Sequence, residues 1–575
     1  MSTPHPPKKP LRLSCVTVRN FRCIKEISVD LDDTTVLIGE NNSGKTAFLE
    51  AIRICLEQLR GRSRNVFHEY DYHLPDDTSA PTDADPIEIE LCFREPEPDA
   101  WKDEVIQELG QLAVVRDDDR YEIRFHLTSR FDAAAGEFTT EWSFLDADGN
   151  PMSGAARNAN QLLTLQRLAP AFYLSALRDA SRHFASRGRF WRTFLSEADI
   201  PEADRKKLEK DFAELNARLI HTHKPLANVR RRLENAKNVI DFGSGDAVAI
   251  DALPAKLFSL LSRTQVSLAS RAGAKIPVER QGEGTQSLAV LFLFDAFLRS
   301  QLSDLDAIAE PITALEEPEA HLHPSAIRAL MKLVHELPGQ KLVSSHSGDL
   351  LASVDAMSVR RFVHRDGGIE VYRIQPGTLT DEEMRKFDFH VRRSRGELLF
   401  ARCWLLVEGE TETTLLAGVA ESLGLDLERA GVRLVEYSQT DVGMLAKVAN
   451  QLGITWYFVG DDDSGRKKYE GKVRAQLGSA TEGEPLVFPY TNVEVFLCDN
   501  GFGDLYEARM SSQKPKPTSP KGTADYWKEV LNALPKGNSK PAVALEAVLR
   551  MKAGDVPVPG ELKSILEKAI ALAGE

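Results

Sequence analysis

One eight-residue stretch, Gly39 to Thr46, limits what this chain can fold into more than any other part of the sequence. It reads GENNSGKT, a full G-x-x-x-x-G-K-T pattern, and it lies between an apolar strand pattern at 34–38 and a helical pattern at 47–59. A loop of this kind presents backbone N–H groups and the positive end of a helix dipole to a phosphate. Because the motif occurs in the strand–loop–helix context that it requires, the sequence predicts an α/β nucleotide-binding domain.

The loop supplies the first group of predicted cofactor-binding residues. Its small residues let backbone N–H groups surround a phosphate, Lys45 can reach the β- and γ-phosphates, and Thr46 can hold Mg²⁺. The predicted positions are Gly39, Asn41, Asn42, Gly44, Lys45 and Thr46. Together they predict ATP as a cofactor, bound with Mg²⁺.

Length and composition exclude several classes of protein. A chain of 575 residues is too long for one hydrophobic core, so we expect roughly two to four domains. The first ten residues lack the apolar segment of a signal peptide, and no apolar run approaches the roughly 20 residues of a membrane span. The six cysteines form no C-x-x-C pair, so we expect neither a disulfide framework nor a zinc site, and a cytoplasmic location fits.

The charge balance argues only weakly against a nucleic-acid-binding protein. The net charge is −14, but carboxylates that bind metals would contribute to it. Two local clusters have the opposite sign: residues 178–192 hold five arginines, and residues 514–540 hold six lysines with Tyr526 and Trp527. Such clusters are usually solvated faces, so they do not decide the question.

Three segments in the middle of the chain suit a site that hydrolyses a nucleotide. Residues 281–287 (QGEGTQS) precede an apolar helical pattern, and glycines before a helix make a seat for an anion. Residues 311–315 predict a strand that ends in Glu316 and Glu317, where one acid can face a metal and the next can act as a general base. A further strand pattern ends at His346, which can then face a γ-phosphate.

The order of these motifs resembles the ATP-binding-cassette (ABC) ATPases, in the branch that includes the heads of structural-maintenance (SMC) and recombination-repair proteins. The resemblance implies that Glu316 is the magnesium-side acid of the Walker B motif and Glu317 the hydrolytic base. It implies also that Gly284 and Ser287 belong to the signature motif and that His346 is the switch histidine. Two such heads enclose ATP between them, so a homodimer is implied. The chain departs from the pattern in reading QGEGTQ instead of LSGGQ, in having Glu where Walker B usually has Asp, and in lacking a long coiled coil.

A second group of acidic residues follows apolar strands nearer the C-terminus. The strand pattern at 403–407 ends in Glu408, and Glu412 comes one helical turn later, where it can lie near Glu408. Another strand pattern, at 454–459, precedes the three aspartates 461–463, of which the first and third share a face if the segment is extended. In a parallel sheet the carboxyl ends of such strands lie side by side, so these acids are expected to converge.

The predicted metal ligands of this group are Glu408, Glu412, Asp461 and Asp463, with Glu494 in addition. Carboxylate oxygens are the ligands that Mg²⁺ and Mn²⁺ prefer. One ion needs only two or three of these carboxylates, so the set leaves room for two ions acting on phosphoryl oxygens.

The E-G-x-x-E … D-x-D pattern resembles the Toprim domain of topoisomerases, primases and some nucleases. An ABC-type head followed by a Toprim domain resembles the OLD (overcoming lysogenization defect) family of nucleases. The resemblance implies a DNA endonuclease that uses two metals, with Glu408, Asp461 and Asp463 as the core catalytic acids and with dimerisation through the ATPase half. The length and layout also resemble the nuclease subunits of the Gabija antiphage system, which implies a role in antiphage defence beside a separate helicase-like subunit.

Metal-assisted hydrolysis also calls for a basic group that offsets the charge of the transition state. Lys540, in the Lys-rich C-terminal segment, is the candidate, with Lys563 as its rival. Two other functions stay open: an ATP-driven repair or recombination ATPase whose Toprim acids are not catalytic, and a nucleotide-sensing toxin that acts on RNA or on another protein. Cleavage assays on DNA and RNA would separate the three.

The predicted fold class is α/β: an ABC/SMC-type ATPase head with a helical insertion, followed by a Toprim domain and a small C-terminal helical segment. The insertion is either a plain helical subdomain or a dimerisation arm. The predicted segments are the ATPase domain (1–180 and 246–380), the helical insertion (181–245), a linker (381–402), the Toprim domain (403–510) and a basic, helical C-terminal segment (511–575).

Overall fold

The structure is a computed structural model of the chain, and its description covers most of the sequence. The described residues are 10–57, 66–76, 78–153, 159–174, 201–222, 267–269, 275–303, 308–320, 322–365, 367–394, 396–438, 440–462, 466–477, 486–535 and 539–574. The chain divides into two compact units. The first comprises Met1–Phe172, Ile308–Ala314 and Ile327–Glu575, and the second comprises Tyr173–Ala307 and Leu315–Ala326.

The described residues form 18 strands, most of which lie in three larger sheets. The strands are β1 (Leu13–Phe21), β2 (Ile24–Asp30), β3 (Thr34–Gly39), β4 (Ile87–Arg94), β5 (Val114–Val115), β6 (Tyr121–Asp132), β7 (Glu137–Leu145), β8 (Ala171–Leu174), β9 (Ser267–Ala269), β10 (Lys275–Pro277), β11 (Ile312–Glu316), β12 (Gln340–Ser344), β13 (Val359–Arg365), β14 (Gly368–Tyr372), β15 (Cys403–Val407), β16 (Val432–Glu436), β17 (Thr455–Val459) and β18 (Leu486–Val487).

Helices alternate with many of these strands. The α-helices are α1 (Lys45–Glu57), α2 (Asp103–Leu109), α3 (Ala159–Leu168), α4 (Glu202–Thr222), α5 (Glu283–Ser303), α6 (Pro324–Glu336), α7 (Gly348–Leu351), α8 (Asp381–Arg393), α9 (Glu410–Ser422), α10 (Val442–Gln451), α11 (Arg466–Arg474), α12 (Val493–Leu497), α13 (Gly503–Glu507), α14 (Ala524–Asn532), α15 (Ser539–Ala553) and α16 (Gly560–Gly574).

The first sheet is antiparallel, with the strand order β2-β1-β4-β6-β5 and with β7 paired to β6. Its strands alternate apolar and polar residues because one face is packed and the other is solvated. In β4, for example, Ile87, Ile89, Leu91 and Phe93 are all buried, whereas the residues between them are partly exposed.

The second sheet carries the phosphate loop and has the order β14-β13-β3-β12-β11-β8. Strand β3 pairs in parallel with β12 on one side and with β13 on the other. The loop of residues 39–44 therefore leaves the carboxyl edge of a parallel sheet, the edge at which such sheets bind ligands.

The third sheet is wholly parallel, with the order β16-β15-β17-β18. All five residues of β15 are buried because helices cover the sheet. Its hydrophobic core also includes side chains of α15 and α16, so the C-terminal helices pack on this sheet. Gly418 of α9 allows a close approach, since a β-carbon there would lie 2.4 Å from a methyl group of Val548 in α15.

These elements confirm the predicted α/β fold class. The predicted domain boundaries stay a prediction. Of the predicted helical insertion, the structure describes α4 and the residue before it, and the remainder, like the arginine cluster at 178–192, lies outside the described residues. Within the described part of the chain, no helix is both long enough and apolar enough to cross a membrane.

Candidate metal centre and nucleotide loop

The phosphate loop has the backbone that its sequence predicts. Gly39 and Gly44 have positive φ angles of 150° and 92°, and a β-carbon at Gly39 would lie 2.3 Å from the carbonyl oxygen of Phe362. Asn42 also has a positive φ of 63°, a conformation that asparagine tolerates better than most residues. Asn41 and Asn42 are exposed, as is Thr46 in the first turn of α1. The loop is therefore shaped by backbone conformations that ordinary side chains would disrupt.

Lys45 folds back into the loop. Its ammonium group donates hydrogen bonds to the carbonyl oxygens of Gly39 at 3.0 Å and Glu40 at 2.8 Å, and to the hydroxyl of Ser43 at 3.1 Å. Lys45 is buried, so these oxygens replace the water that its charge would otherwise bind. His346 follows β12 of the same sheet and is exposed.

The other predicted nucleotide-site residues belong to the second compact unit. Gly284 and Ser287 lie inside the first turns of α5, which begins at Glu283, earlier than the apolar pattern alone indicated. Ser287 is buried and donates a hydrogen bond to the carbonyl oxygen of Ala320 at 3.3 Å.

Glu316 and Glu317 lie at the end of β11. Glu316 accepts a hydrogen bond from the hydroxyl of Tyr173 at 2.9 Å. Glu317 has a positive φ of 45°, which is unusual for a residue with a β-carbon and marks a sharp turn directly after the strand. Backbone strain of this kind is concentrated at functional sites.

The C-terminal acids converge at the carboxyl edge of the third sheet. One oxygen each of Glu408, Glu412 and Asp461 lies within 4.8 Å of the others. Glu408 directly follows β15, and Asp461 follows β17 after Gly460, so the pairing of these parallel strands brings the two acids together. The predicted proximity of these three side chains is therefore observed.

Glu412 owes its position to the start of a helix. It is the third residue of α9, and its carboxylate accepts a hydrogen bond from the backbone N–H of Gly409 at 3.2 Å. The pKa of Glu412 is raised from an ordinary 4.5 to about 7. Burial is the largest cause, and the charges of Glu494 and Glu408 act in the same direction. A buried carboxylate among like charges is stabilised by a bound cation.

Glu494 and Lys540 meet beside this cluster. Glu494 is buried in the short helix α12, and its charge acts on Glu412. The ammonium group of Lys540, at the start of α15, lies 2.8 Å from its carboxylate. The rival residue Lys563 lies 3.6 Å from Glu567 on its own helix. Of the two predicted lysines, Lys540 is thus the one that contacts an acid of the predicted set.

Two tyrosines near the acids were not predicted from the sequence. Tyr437 follows β16 and Tyr490 follows β18, and both are buried. Burial raises the pKa of each phenol, and the charges of Glu408, Glu412 and Asp461 act in the same direction. The Tyr490 hydroxyl has no hydrogen-bond partner within the described part of the chain. In the sequence, both appear only as aromatic residues after short strands.

Asp463 lies outside the described residues, so its predicted convergence with Asp461 stays a prediction. Asp462, between them, accepts a hydrogen bond from Arg466 at 2.7 Å. The predicted metal fits the donors that are described: three carboxylates within reach of one ion, a fourth acid nearby, and a buried hydroxyl without a protein partner. Hard oxygen ligands of this kind suit Mg²⁺ or Mn²⁺.

Comparison with known families identifies the larger part of the chain. Residues 11–397 match a family described as protein of unknown function, DUF2813. The chain belongs to this family. Residues 399–463, which include Glu408, Glu412 and Asp461, match the TOPRIM domain of overcoming-lysogenization-defect-like proteins.

Several curated proteins are similar over most of their length. The uncharacterized protein YbjD of Escherichia coli K12 is 28% identical over 98% of this chain and 99% of its own length. The OLD nuclease of Thermus scotoductus is 25% identical over 78% of this chain and 82% of its own. Endonuclease GajA of Bacillus cereus is 23% identical over 81% of this chain and 78% of its own. The predicted resemblance to OLD-type nucleases is confirmed.

Among solved structures, an SMC head bound to the C-winged helix domain of ScpA covers 64% of this chain and 98% of its own. It is 16% identical, with a TM-score of 0.35, a similarity too low to define the fold by itself.

Proposed function

We propose that this protein is a DNA endonuclease that hydrolyses phosphodiester bonds with divalent metal ions, and that its ATPase half binds ATP and regulates the cutting. The observation that carries the proposal is the approach of Glu408, Glu412 and Asp461 to within 4.8 Å at the carboxyl edge of a parallel sheet. It is supported by the OLD-like TOPRIM match over this region and by relatives that are named nucleases.

In this proposal the acids have separate tasks. Glu408, Glu412 and Asp461 would hold one Mg²⁺ or Mn²⁺ ion, and Asp463 and Glu494 would contribute ligands to a second. When bound, the metal supplies Lewis-acid activation of water and neutralises charge on the phosphoryl oxygens. Glu408 and Asp461 are only half buried, so a substrate can approach them from solvent.

Lys540 provides the positive charge in the proposed site. Its side chain is 54% exposed while its partner Glu494 is 6% exposed. Glu494 therefore fixes the lysine at the edge of the centre, and the ammonium group stays accessible to a phosphate oxygen. A cation held in this way stabilises the charge that develops when the phosphodiester is attacked.

The ATPase half is proposed to act as a nucleotide-dependent regulator. Residues 39–46 and His346 of the first unit are proposed to bind ATP and its metal. In the second unit, Gly284, Ser287 and Glu316 are each proposed to have a nucleotide-binding role, and Glu317 is proposed as the base in any ATP hydrolysis. The expected assembly is a homodimer that joins through these heads, and the expected role is antiphage defence in the cytoplasm, where the six free cysteines would stay reduced. A separate helicase-like subunit belongs to the same proposal.

The test is cleavage of plasmid DNA, linear DNA and RNA with Mg²⁺ or Mn²⁺, with and without ATP. DNA should be cut by the unaltered chain and not by Glu408→Gln. The matched control is Glu410→Gln, because Glu410 is exposed and two residues away on the same helix start. If no DNA is cut under any of these conditions, the proposal is wrong. If Glu408→Gln cuts DNA as well as Glu410→Gln does, the cluster that contains Glu408 is not the catalytic metal site.

A further inference from the structure

Helix α8 precedes the third sheet (β15–β18), which we call the Toprim sheet, and presents a basic face with an aromatic residue in it. Phe387 and Val391 are buried on the opposite side of the helix. The exposed residues recur at intervals of three and four, so they form one continuous strip. We call this strip the α8 track; it consists of Arg385, Lys386, Phe389, Arg392 and Arg393.

The α8 track lies beside the carboxyl edge of the Toprim sheet. Arg393 approaches Glu436, the last residue of β16, at 3.7 Å. Lys447 of α10 pairs with Glu383 of α8 at 3.2 Å, which fixes α8 against α10. In the loop after β16, the backbone N–H of Ser438 donates a hydrogen bond to the carbonyl oxygen of Glu408 at 2.9 Å. The track is thus connected to the acid cluster by a single loop.

A depression of about 280 Å³ separates the track from this loop. On one side it is lined by residues of α8, one of them acidic, and on the other by Thr440; the α8 residues are Glu382, Arg385, Lys386, Phe389, His390 and Arg393. The Thr440 hydroxyl is buried and has no hydrogen-bond partner among the residues that the structure describes. A buried hydroxyl without a partner is costly, so a polar ligand in the depression would relieve it.

Three of the basic residues have another evident role. Lys386 pairs with Glu382 on its own helix at 2.7 Å. Arg392 and Arg393 lie in the last turn of the helix, where positive charge offsets the helix dipole. That reason does not extend to Arg385, which lies in the first half of α8 and forms no ion pair within 4.0 Å in the described part of the chain. Nor does it explain Phe389, whose side chain is 63% exposed.

We propose that the α8 track binds the DNA strand that enters the Toprim centre. Arg385, Arg392 and Arg393 contact its phosphates, and one unstacked base lies against Phe389. Arginine suits phosphate, and an exposed aromatic ring suits any base, because every base has a stacking face. The partner is therefore DNA with at least one unpaired base. This inference rests on the proposed nuclease function and adds to it the path of the substrate.

The first test measures binding of a fluorescent 30-nucleotide DNA strand and the corresponding duplex in Ca²⁺ at several salt concentrations. Arg385→Glu should weaken binding of both by about tenfold and reduce the slope of log affinity against log salt by about one. The control is Arg429→Glu, which makes the same charge change at an exposed residue that precedes β16, at the opposite edge of the sheet. Arg429→Glu should bind within about twofold of the unaltered chain.

The second test concerns the base. Phe389→Ala should weaken binding of the single strand roughly tenfold and binding of the duplex much less, whereas Phe389→Tyr should restore it. Far-ultraviolet circular dichroism and the thermal midpoint verify that each variant is folded. If Arg385→Glu and Arg429→Glu weaken DNA binding equally, the proposed role of the α8 track is wrong while the nuclease function can still hold. The same follows if Phe389→Ala weakens the binding of single-stranded and duplex DNA equally. If the unaltered chain neither binds nor cuts DNA, the proposed function fails as well.

Discussion

The phosphate loop and the acid centre occupy the same kind of place in their sheets but are prepared for ligands in opposite ways. Each lies at the carboxyl edge of parallel strands, after β3 in one case and after β15 and β17 in the other. In the loop, the charge of Lys45 is already surrounded by two carbonyl oxygens and a hydroxyl. In the acid centre, three carboxylates lie within 4.8 Å of one another and one of them is buried.

This difference indicates how each region responds to its ligand. In the loop, the ammonium group of Lys45 already has three oxygen partners, so under the proposed function a phosphate would exchange one set of hydrogen bonds for another. The acid centre holds like charges that repel one another, so a cation relieves a cost already present in the fold. We therefore expect the acid centre to depend on its metal for stability and for chemistry, and the loop to serve as a switch.

The largest expected effect is on cleavage when the acid centre is changed. Asp461→Asn keeps the size of the side chain but removes a charge that would hold the metal, so DNA cleavage in Mg²⁺ should fall by roughly 10³-fold or more. Single-turnover cleavage measures it. Asp499→Asn, at an exposed aspartate after α12, is the matched control and should cut normally. Equal cleavage by both variants would contradict the assignment.

A change in the phosphate loop should affect ATP binding and leave nucleotide-free DNA cleavage nearly unchanged. Lys45→Ala removes the ammonium group that would reach the phosphates, so the affinity for ATP should fall by about 100-fold. DNA cleavage without nucleotide should stay within about threefold of the unaltered chain. Filter binding of labelled ATP and cleavage without ATP measure the two quantities. A parallel loss of both would show that the loop is part of the chemistry and not a switch.

Replacing Lys540 should slow DNA cleavage less than replacing the acids does, and more than replacing other lysines of the C-terminal helices. Lys540→Ala removes a cation at the edge of the acid centre, so the rate of cleavage should fall by about 10- to 100-fold with little change in DNA affinity. Lys563→Ala is the comparison, because among the described residues Lys563 pairs with Glu567 on its own helix and with no acid of the centre. If the two variants are equally active, the positive group of the site must come from elsewhere.

The pH dependence of stability follows from Glu412. Its pKa in the metal-free fold is about 7, above the ordinary 4.5, so the folded state keeps a proton that the unfolded chain has lost between these values. This group therefore makes the metal-free protein less stable as pH rises from 4.5 to 7. Glu412→Gln should stabilise the protein in EDTA at pH 8 by on the order of 1–3 kcal/mol, and much less at pH 5. Urea unfolding of both proteins at pH 8 and pH 5 measures this change in the free energy of unfolding. A change that is the same at both pH values would contradict the account.

The smallest effect concerns the contact between the two regions. Glu40 of the phosphate loop pairs with Arg402 at 2.6 Å. Arg402 directly precedes β15 and lies six residues before Glu408 in the chain. The pair is exposed, so Arg402→Ala should change stability by less than about 1 kcal/mol. It should leave ATP binding and nucleotide-free cleavage intact and reduce the effect of ATP on cleavage. Cleavage titrated with ATP tests this, and an unchanged ATP response would exclude this route of coupling.

The parts of the molecule that follow local rules could be predicted from the sequence. The loop at 39–46 and the acids after β15 and β17 depend on motifs and on strand ends, which short sequence patterns reveal. The spacing of Glu408 and Glu412 gave their proximity because a helix begins between them. The start of α5 was predicted too late, because the polar and glycine residues at 283–287 hide a helix that its later apolar turns support.

The remaining features depend on packing between segments distant in the chain. Lys540 reaches Glu494 only because α15 packs on the Toprim core, which no local pattern shows. Arg361 appears as one arginine among several in β13. In the structure it is buried and donates hydrogen bonds to the carbonyl oxygens of Leu399, Ala401, Leu452 and Gly453. These bonds join β13 of the second sheet to the segments that precede β15 and β17 of the third sheet. Such contacts are set by tertiary structure alone.

The most direct test of the central claim is to locate the metal itself. Crystals of the full chain grown with Mn²⁺ would be measured at the manganese absorption edge. The account predicts anomalous density within about 2.5 Å of carboxylate oxygens of Glu408, Glu412 and Asp461, and its loss in Asp461→Asn crystals. Manganese beside Thr46 alone, with none between these three acids, would contradict it.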